Sequence, residues 1–225
     1  MPLEANASTT ARVTERGSRR GTRDALLDAA AELMNDGQTL DISLSEIAAR
    51  AKLNSALVKY YFGSKQGLML ALIERSVLVA MADLEHLAKS KMSAVEKLRI
   101  HTAGLINLYF RNRYLNKLLF LLLGESNPED SQKISDRLVK PAADVQKEIL
   151  EQGVKEGVFR PIDPMLFYFT IIGACDQIFT ASFALKSVFN YGDLDEDIKR
   201  RFINHTVEVL LRGVSVDQSA PSQGD

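Results

Sequence analysis

Few side chains in this sequence are of a kind that does covalent chemistry, and they do not gather. The histidines are His86, His101 and His205, and the single cysteine is Cys175. One thiol forms no internal disulfide, and this inventory offers neither a zinc-type ligand set nor a nucleophile with its base. HExxH, P-loop and Gly-rich phosphate motifs are missing as well. The expectation is a chain without metal or cofactor. What does gather is a set of short hydroxyl, amide, phenol and ammonium side chains between Ser43 and Lys65. Such groups bind anions through hydrogen bonds and charge. Upstream, Arg12, Arg16, Arg19, Arg20 and Arg23 stand against one acid, Glu15. That run reads either as a solvated tail or as an arm that meets phosphate.

The elements that hold this cluster follow from local signals. Ser43-Leu44-Ser45-Glu46 is a capping box that starts a short helix to Ala51, with Leu44, Ile47, Ala48 and Ala51 inward. Lys52-Leu53-Asn54 breaks it, Asn54 is a good N-cap, and Ser55–Phe62 gives two further turns. Small Ala48 at the crossing makes the pair a helix-turn-helix. A preceding helix runs from Ser18 or Thr22 to Asn35, with Leu26, Ala30, Leu33 and Met34 as its stripe. Gly63 and Ser64 precede a long helix, Lys65–Lys89.

Helical spacing continues to the end of the chain. Ser93–Glu96 is a second capping box, and Val95, Leu98, Thr102, Leu105 and Tyr109 follow at spacings of three and four. Tyr114–Gly124 is densely apolar, and a broken helix reaches Gly153 with Pro141 as a kink. Asp163 and Pro164 open an apolar helix, and a last one spans Asp195–Arg212 with Ile203, Val207, Leu210 and Val214 as its stripe. The stretch Met165–Leu185 is long enough to cross a bilayer, but Asp176 and Gln177 at its centre favour a buried helix. No run alternates with period two, so the expectation is an all-α fold. Residues 1–17 and 215–225 read as disordered tails.

Composition agrees. The chain has 225 residues, 46% hydrophobic and 25% charged, enough for a sizeable core. Lys plus Arg is 28 against 29 Asp plus Glu, which excludes a basic coat over the whole molecule but not a local basic patch. No apolar leader segment is visible, so a cytoplasmic location is expected, with no membrane.

The stretch Ile47–Leu68, IAARAKLNSALVKYYFGSKQGL, resembles the DNA-binding signature of TetR-family transcriptional regulators. Ile47, Ala48, Ala51, Val58, Tyr61, Phe62, Lys65 and Leu68 match the family pattern directly. Asn54 replaces a Ser cap, Ala56 a Gly, Lys59 a Tyr and Gln66 a Glu. Lys52 stands where Gly is usual, at a turn position that often needs positive φ. The resemblance implies a homodimer of about nine helices. It places a helix-turn-helix DNA-binding domain over 18–66 and a ligand-binding and dimerisation domain over 67–214. The implied partners are a palindromic double-stranded operator and a small-molecule effector, and the implied activity is repression.

Within that frame Ser55 and Ala56 are short enough to let the backbone approach base edges, and Lys59, one turn later, reaches a guanine. Asn54 belongs to the same set. Ser43, Ser45, Tyr60, Tyr61 and Lys65 are the expected phosphate contacts. Val58 and Phe62 are expected in the core. The candidate effector contacts are His101, Tyr109, Phe120, Tyr168, Asp176 and Phe179, although ordinary core packing explains each aromatic as well. Their character favours an apolar or amphipathic ligand. The surplus apolar faces of the last two helices are assigned to a dimer interface. A constitutive DNA-bound regulator and a helical enzyme are the alternatives.

Overall fold

The computed structural model describes the backbone of residues 5–37 and 39–216, and side chains from residue 21 onward within those ranges. Expectations that concern residues 1–4, 38 and 217–225 lie outside the described residues. The chain forms two compact units, Met1–Arg75 and Ser76–Asp225. The described residues form eleven α-helices and one π turn, with no strand. A single antiparallel bridge joins Phe159 to Ser215. No helix of the described residues is long and apolar enough to cross a membrane.

The first unit contains α1 (Ala5–Gly37), α2 (Leu44–Arg50), α3 (Ala56–Phe62) and the start of α4 (Lys65–Lys89). Helix α1 begins at Ala5 rather than at Ser18 or Thr22, so helical backbone runs through most of the expected N-terminal tail. No proline interrupts that stretch, and extending a helix already nucleated costs little per residue. Leu26, Leu27, Ala30 and Met34 of α1 are buried with Ile47 and Ala48 of α2, Val58 of α3 and Leu68 and Leu72 of α4. Arg50 fastens α2 to α1 through Glu32 at 3.2 Å and Asp36 at 3.3 Å. Arg75 reaches Asp28 at 2.7 Å.

The α2–α3 turn is tight. The Leu53 amide donates to the Ala48 carbonyl at 2.9 Å, and Lys52 takes φ of +56°. The backbone therefore adopts the left-handed conformation that glycine would take without strain. After α3, Gly63 has φ of +74°, and a Cβ on Gly67 would lie 2.1 Å from the Phe62 carbonyl oxygen. Only glycine allows α4 to start so close to the end of α3.

The second unit holds the rest of α4, then α5 (Ala94–Arg111), α6 (Leu115–Glu125), α7 (Pro128–Ile134), a π turn (Ser135–Val139), α8 (Lys140–Lys155), α9 (Pro164–Thr180), α10 (Phe183–Ser187) and α11 (Glu196–Val214). Helices α5, α8 and α9 pack on one another, and α11 packs on α5 and α9. Both capping boxes, Ser43 with Glu46 and Ser93 with Glu96, are formed in full. Pro141 does not break the chain. It sits in the first turn of α8, and the π turn just before it absorbs the missing donor and the ring. Helix α9 stops at Thr180, so the stretch Met165–Leu185, expected as one helix, is divided between two. No glycine or proline marks that stop.

Two ties close the unit. The Lys97 ammonium is buried and donates to the Ala88 carbonyl at 2.8 Å and to Gln152 Oε1 at 2.9 Å. The Glu156 carboxylate accepts from the Ala94 amide at 2.9 Å. The ends of α4, α5 and α8 are thereby held together. Just beyond α8, Arg160 donates twice to the Gly213 carbonyl, at 3.0 and 2.8 Å, and so caps α11.

The α11 stripe faces inward: Val207, Leu210 and Val214 are buried within this chain, and the outer face carries Arg201, Asn204, His205, Glu208, Val209 and Arg212. Large apolar side chains are exposed at the start of α9, where Met165, Leu166 and Phe169 are 60%, 60% and 67% exposed, and on α10, where Phe183 is 71% exposed.

Replacing Lys52 with glycine is expected to stabilise the protein. Relief of left-handed strain (~1–2 kcal/mol) outweighs glycine's extra unfolded-state entropy (~0.5–1 kcal/mol). Urea unfolding of Lys52→Gly against wild type checks this; an unchanged or lower midpoint contradicts it.

Candidate functional site

The first candidate surface is the outer side of α2 and α3. Ser55, Ala56, Lys59 and Tyr60 are exposed together along α3, and Val58 points the other way and is fully buried. This division follows from helical spacing, because positions 55, 56, 59 and 60 lie on one stripe. Ser45 is exposed on α2. Ser43 is the α2 N-cap: its hydroxyl accepts from the Glu46 amide at 3.1 Å, and its own amide donates to the Glu46 carboxylate at 2.7 Å. Those bonds, with Lys65 nearby, hold the Glu46 carboxyl below its ordinary range. Lys65 is half-buried at the start of α4. There the helix end itself favours an anion.

Some expected roles shift. The N-cap residue of α3 is Ser55, whose side chain makes no cap bond, whereas Asn54 Oδ1 accepts from the Ala56 amide at 2.8 Å. Asn54 therefore shapes the turn, and the Ser55 hydroxyl is left unused by the helix. Tyr61 is half-buried with its ring edge-on to Tyr60 at 5.0 Å. Phe62 is half-buried rather than fully inside, with the Arg23 guanidinium 5.1 Å above its ring. Arg23 is thus engaged at the end of α3. Spacing along a sequence cannot show such a contact, because Arg23 and Phe62 lie on different helices.

The second candidate site is the interior of the C-terminal unit. His101 and Tyr109 on α5 and Asp176 and Phe179 on α9 are all buried, and Tyr168 is half-buried. Phe120 does not join them. It is 62% exposed on α6, a helix so apolar around its circumference that spacing does not reveal which side turns inward. Phe179 stacks edge-on with Phe110 at 6.2 Å and with Phe202 at 6.3 Å. Asp176 accepts a hydrogen bond from the Thr180 hydroxyl at 2.7 Å. Burial, and then the Asp176 charge, hold the Tyr109 phenol above its ordinary range. The same two causes push the Cys175 thiol up to about 12, so it is inert.

Gln146 of α8 also belongs to this interior. It is 2% exposed, and its Nε2 lies 2.9 Å from His101 Nε2. The sequence carried a signal for it: Gln146 interrupts the stripe of Val145, Ile149, Leu150 and Gly153, which are buried with it. A polar residue on an apolar stripe needs a partner.

Comparison with known proteins matches the two units separately. A family model for the "Tetracyclin repressor-like, C-terminal domain" covers residues 91–220. One for "Bacterial regulatory proteins, tetR family" covers residues 26–72. The HTH-type transcriptional regulator BetI of Rhizobium meliloti (strain 1021) is 40% identical over 95 residues, 42% of this chain and 45% of that protein. BetI 1 of Chromohalobacter salexigens is 30% identical over 101 residues, 45% of this chain and 48% of its own length. The chain thus spans about half the length of the curated relatives it matches. Among solved structures, a tetR-family regulatory protein from Rhodococcus RHA1 superposes with a TM-score of 0.69 at 20% identity, over 87% of this chain and 98% of that one. FadR from Bacillus subtilis, solved with stearoyl-CoA, superposes with a TM-score of 0.64 at 23% identity, over 84% and 97%. These structural likenesses are of fold.

Burial lowers the His101 pKa from 6.5 to about 4. The folded state therefore keeps a neutral imidazole while the unfolded chain takes up a proton. Stability from this group is fully present above pH 6.5 and is lost as pH falls through about 4. The gap corresponds to roughly 3 kcal/mol. Chemical denaturation between pH 7 and pH 4 is expected to show this decline in wild type and a shallower one in His101→Asn. Equal slopes contradict it.

Proposed function

The chain belongs to the tetR family of bacterial regulatory proteins, and from that premise we propose that it is a homodimeric repressor released from a palindromic operator by a small apolar or amphipathic molecule. The family is one of transcriptional regulators and not of enzymes. The single observation that carries the DNA-binding part is the exposed stripe of Ser55, Ala56, Lys59 and Tyr60 on α3. Two short side chains let the helix approach the floor of the major groove. Lys59 then reaches a guanine O6 or N7, while Ser43, Ser45, Tyr60, Tyr61 and Lys65 meet phosphates. Asn54 acts by holding the turn.

The dimer part rests on the exposed face of α9 and α10. Met165, Leu166, Phe169 and Phe183 form an apolar surface that a second copy of the chain covers. Two recognition helices then lie about one DNA turn apart, ~34–36 Å, as a palindrome requires.

The effector part rests on the buried polar and aromatic groups of α5, α8 and α9. FadR of the same fold was solved with stearoyl-CoA, which supports an apolar ligand. Helix α4 runs from Lys65 to Lys89 and contributes to both units, so it is the lever. Release requires that the effector bind the DNA-incompetent state more tightly, since equal affinity shifts nothing.

Lys59→Ala is expected to cost ~1–3 kcal/mol and to relax preference at one base pair, whereas Lys65→Ala weakens all sequences alike and lowers the salt slope by about one. Binding to randomised operators at several salt concentrations distinguishes the two. If Lys59→Ala alters neither affinity nor preference, α3 does not read the DNA with this face.

Phe169→Glu is expected to give a folded monomer that loses operator affinity, because a half-site alone supplies too few contacts. Sedimentation of wild type and variant at micromolar concentration checks this. A monomeric wild type rejects the interface.

A further inference from the structure

We infer that Gln146 and His101 form the polar end of the effector site, and that this end takes an uncharged hydrogen-bonding group, a hydroxyl or a carboxamide carried on an apolar body. The inference rests on the effector-responsive reading above and gives it a ligand chemistry. Its main observation is the Gln146 side chain. It is 2% exposed and Nε2 pairs with His101 Nε2 at 2.9 Å, yet Oε1 is buried with no hydrogen-bond partner. Native interiors rarely leave a polar atom in that condition, and such an atom calls for a partner from a water or a ligand group.

The geometry sets what binds. As placed, the amide donates to an imidazole protonated at Nδ1, and its carbonyl oxygen awaits a donor. With the amide turned over, the oxygen would accept from His101 Nε2–H, and the NH2 would await an acceptor. Either way, one polar amide group is left. A hydroxyl or a carboxamide satisfies both cases because it donates and accepts.

Charge is disfavoured on two grounds. The interior already holds a carboxylate, Asp176, whose neighbour Cys175 rests its Sγ 3.9 Å from the carbonyl of Thr102, the residue after His101. The buried cation one turn earlier on α5, Lys97, hydrogen-bonds the Ala88 carbonyl and Gln152, and its charge is already answered by Glu156. Neither offers a ligand carboxylate a counter-charge. His101 itself stays neutral, because burial lowers its pKa. The π turn Ser135–Val139 lies just upstream on the same helical run as Gln146.

The test is calorimetric titration of the full chain with octanamide, octan-1-ol and octanoate, on wild type and on Gln146→Leu. We expect the amide and the alcohol to bind wild type at least about tenfold more tightly than octanoate. Gln146→Leu should weaken octanamide by about tenfold. In wild type, the side-chain amide resonances of Gln146 should shift during the octanamide titration, a readout that does not depend on the variant folding. Equal octanamide affinity in the two proteins, octanoate binding as tightly as octanamide, or no binding of the amide and alcohol overturns the inference. In the last case a water molecule occupies the orphan. Operator release by a metabolite extract is measured in parallel. If the extract releases operator while the neutral probes fail, this inference falls and the effector-responsive reading stands. If the extract releases nothing, that reading falls, and the titrations still decide the Gln146 site.

Discussion

Everything the N-terminal unit presents depends on turning the chain between α2 and α3 without leaving a buried backbone group unpaired. The Leu53 amide returns to the Ala48 carbonyl, and Asn54 takes the Ala56 amide. A larger side chain than Ala48 at the crossing would push the two helices apart, and Ala48 is 3% exposed. The solution places Lys52 in a left-handed conformation at a measurable cost. Because Val58 then falls inward, Ser55, Ala56, Lys59 and Tyr60 fall outward as a set. The exposed stripe of α3 is therefore a consequence of the turn. The same demand recurs at the other end of α3, where Gly67 lets the Phe62 carbonyl approach α4.

The C-terminal unit is organised differently. Its helices are joined by an apolar core, but polar side chains run through it on α5. Lys97 and His101 lie one helical turn apart and face α8, where Gln152 and Gln146 meet them. Lys97 makes two hydrogen bonds and fixes the end of α4. Gln146 uses its Nε2 on His101 and leaves Oε1 without a partner. A satisfied polar network rigidifies an interior, and an unpaired buried polar atom is costly. The unit thus has one satisfied polar junction and one with an open atom, on the same two helices.

Sequence and fold relate this chain to known proteins over different extents. The curated relatives match over less than half of their length, at 40% and 30% identity, whereas the solved structures agree over most of the chain at 20% and 23% identity.

The sequence by itself determined the helices whose ends are chemical. Ser43 with Glu46, Ser93 with Glu96, and Asp163 with Pro164 mark starts that the structure reproduces, and Lys65–Lys89 is found with both bounds unchanged. Caps are local, so neighbouring residues suffice to read them. It also showed the outward stripe of α3, because the spacing alone separates Val58 from Lys59. Only the tertiary structure decided which apolar residues are core and which are surface. Leu210 and Phe120 look alike in sequence, yet one is 5% and the other 62% exposed. It decided that α9 ends at Thr180, where no residue type signals a stop, and that Arg23 covers Phe62. It alone paired His101 with Gln146, forty-five positions apart, and left one amide atom without a partner. The physical reason is the same in each case: burial and pairing across helices depend on which faces meet, and periodicity gives the face of a helix but not its neighbour.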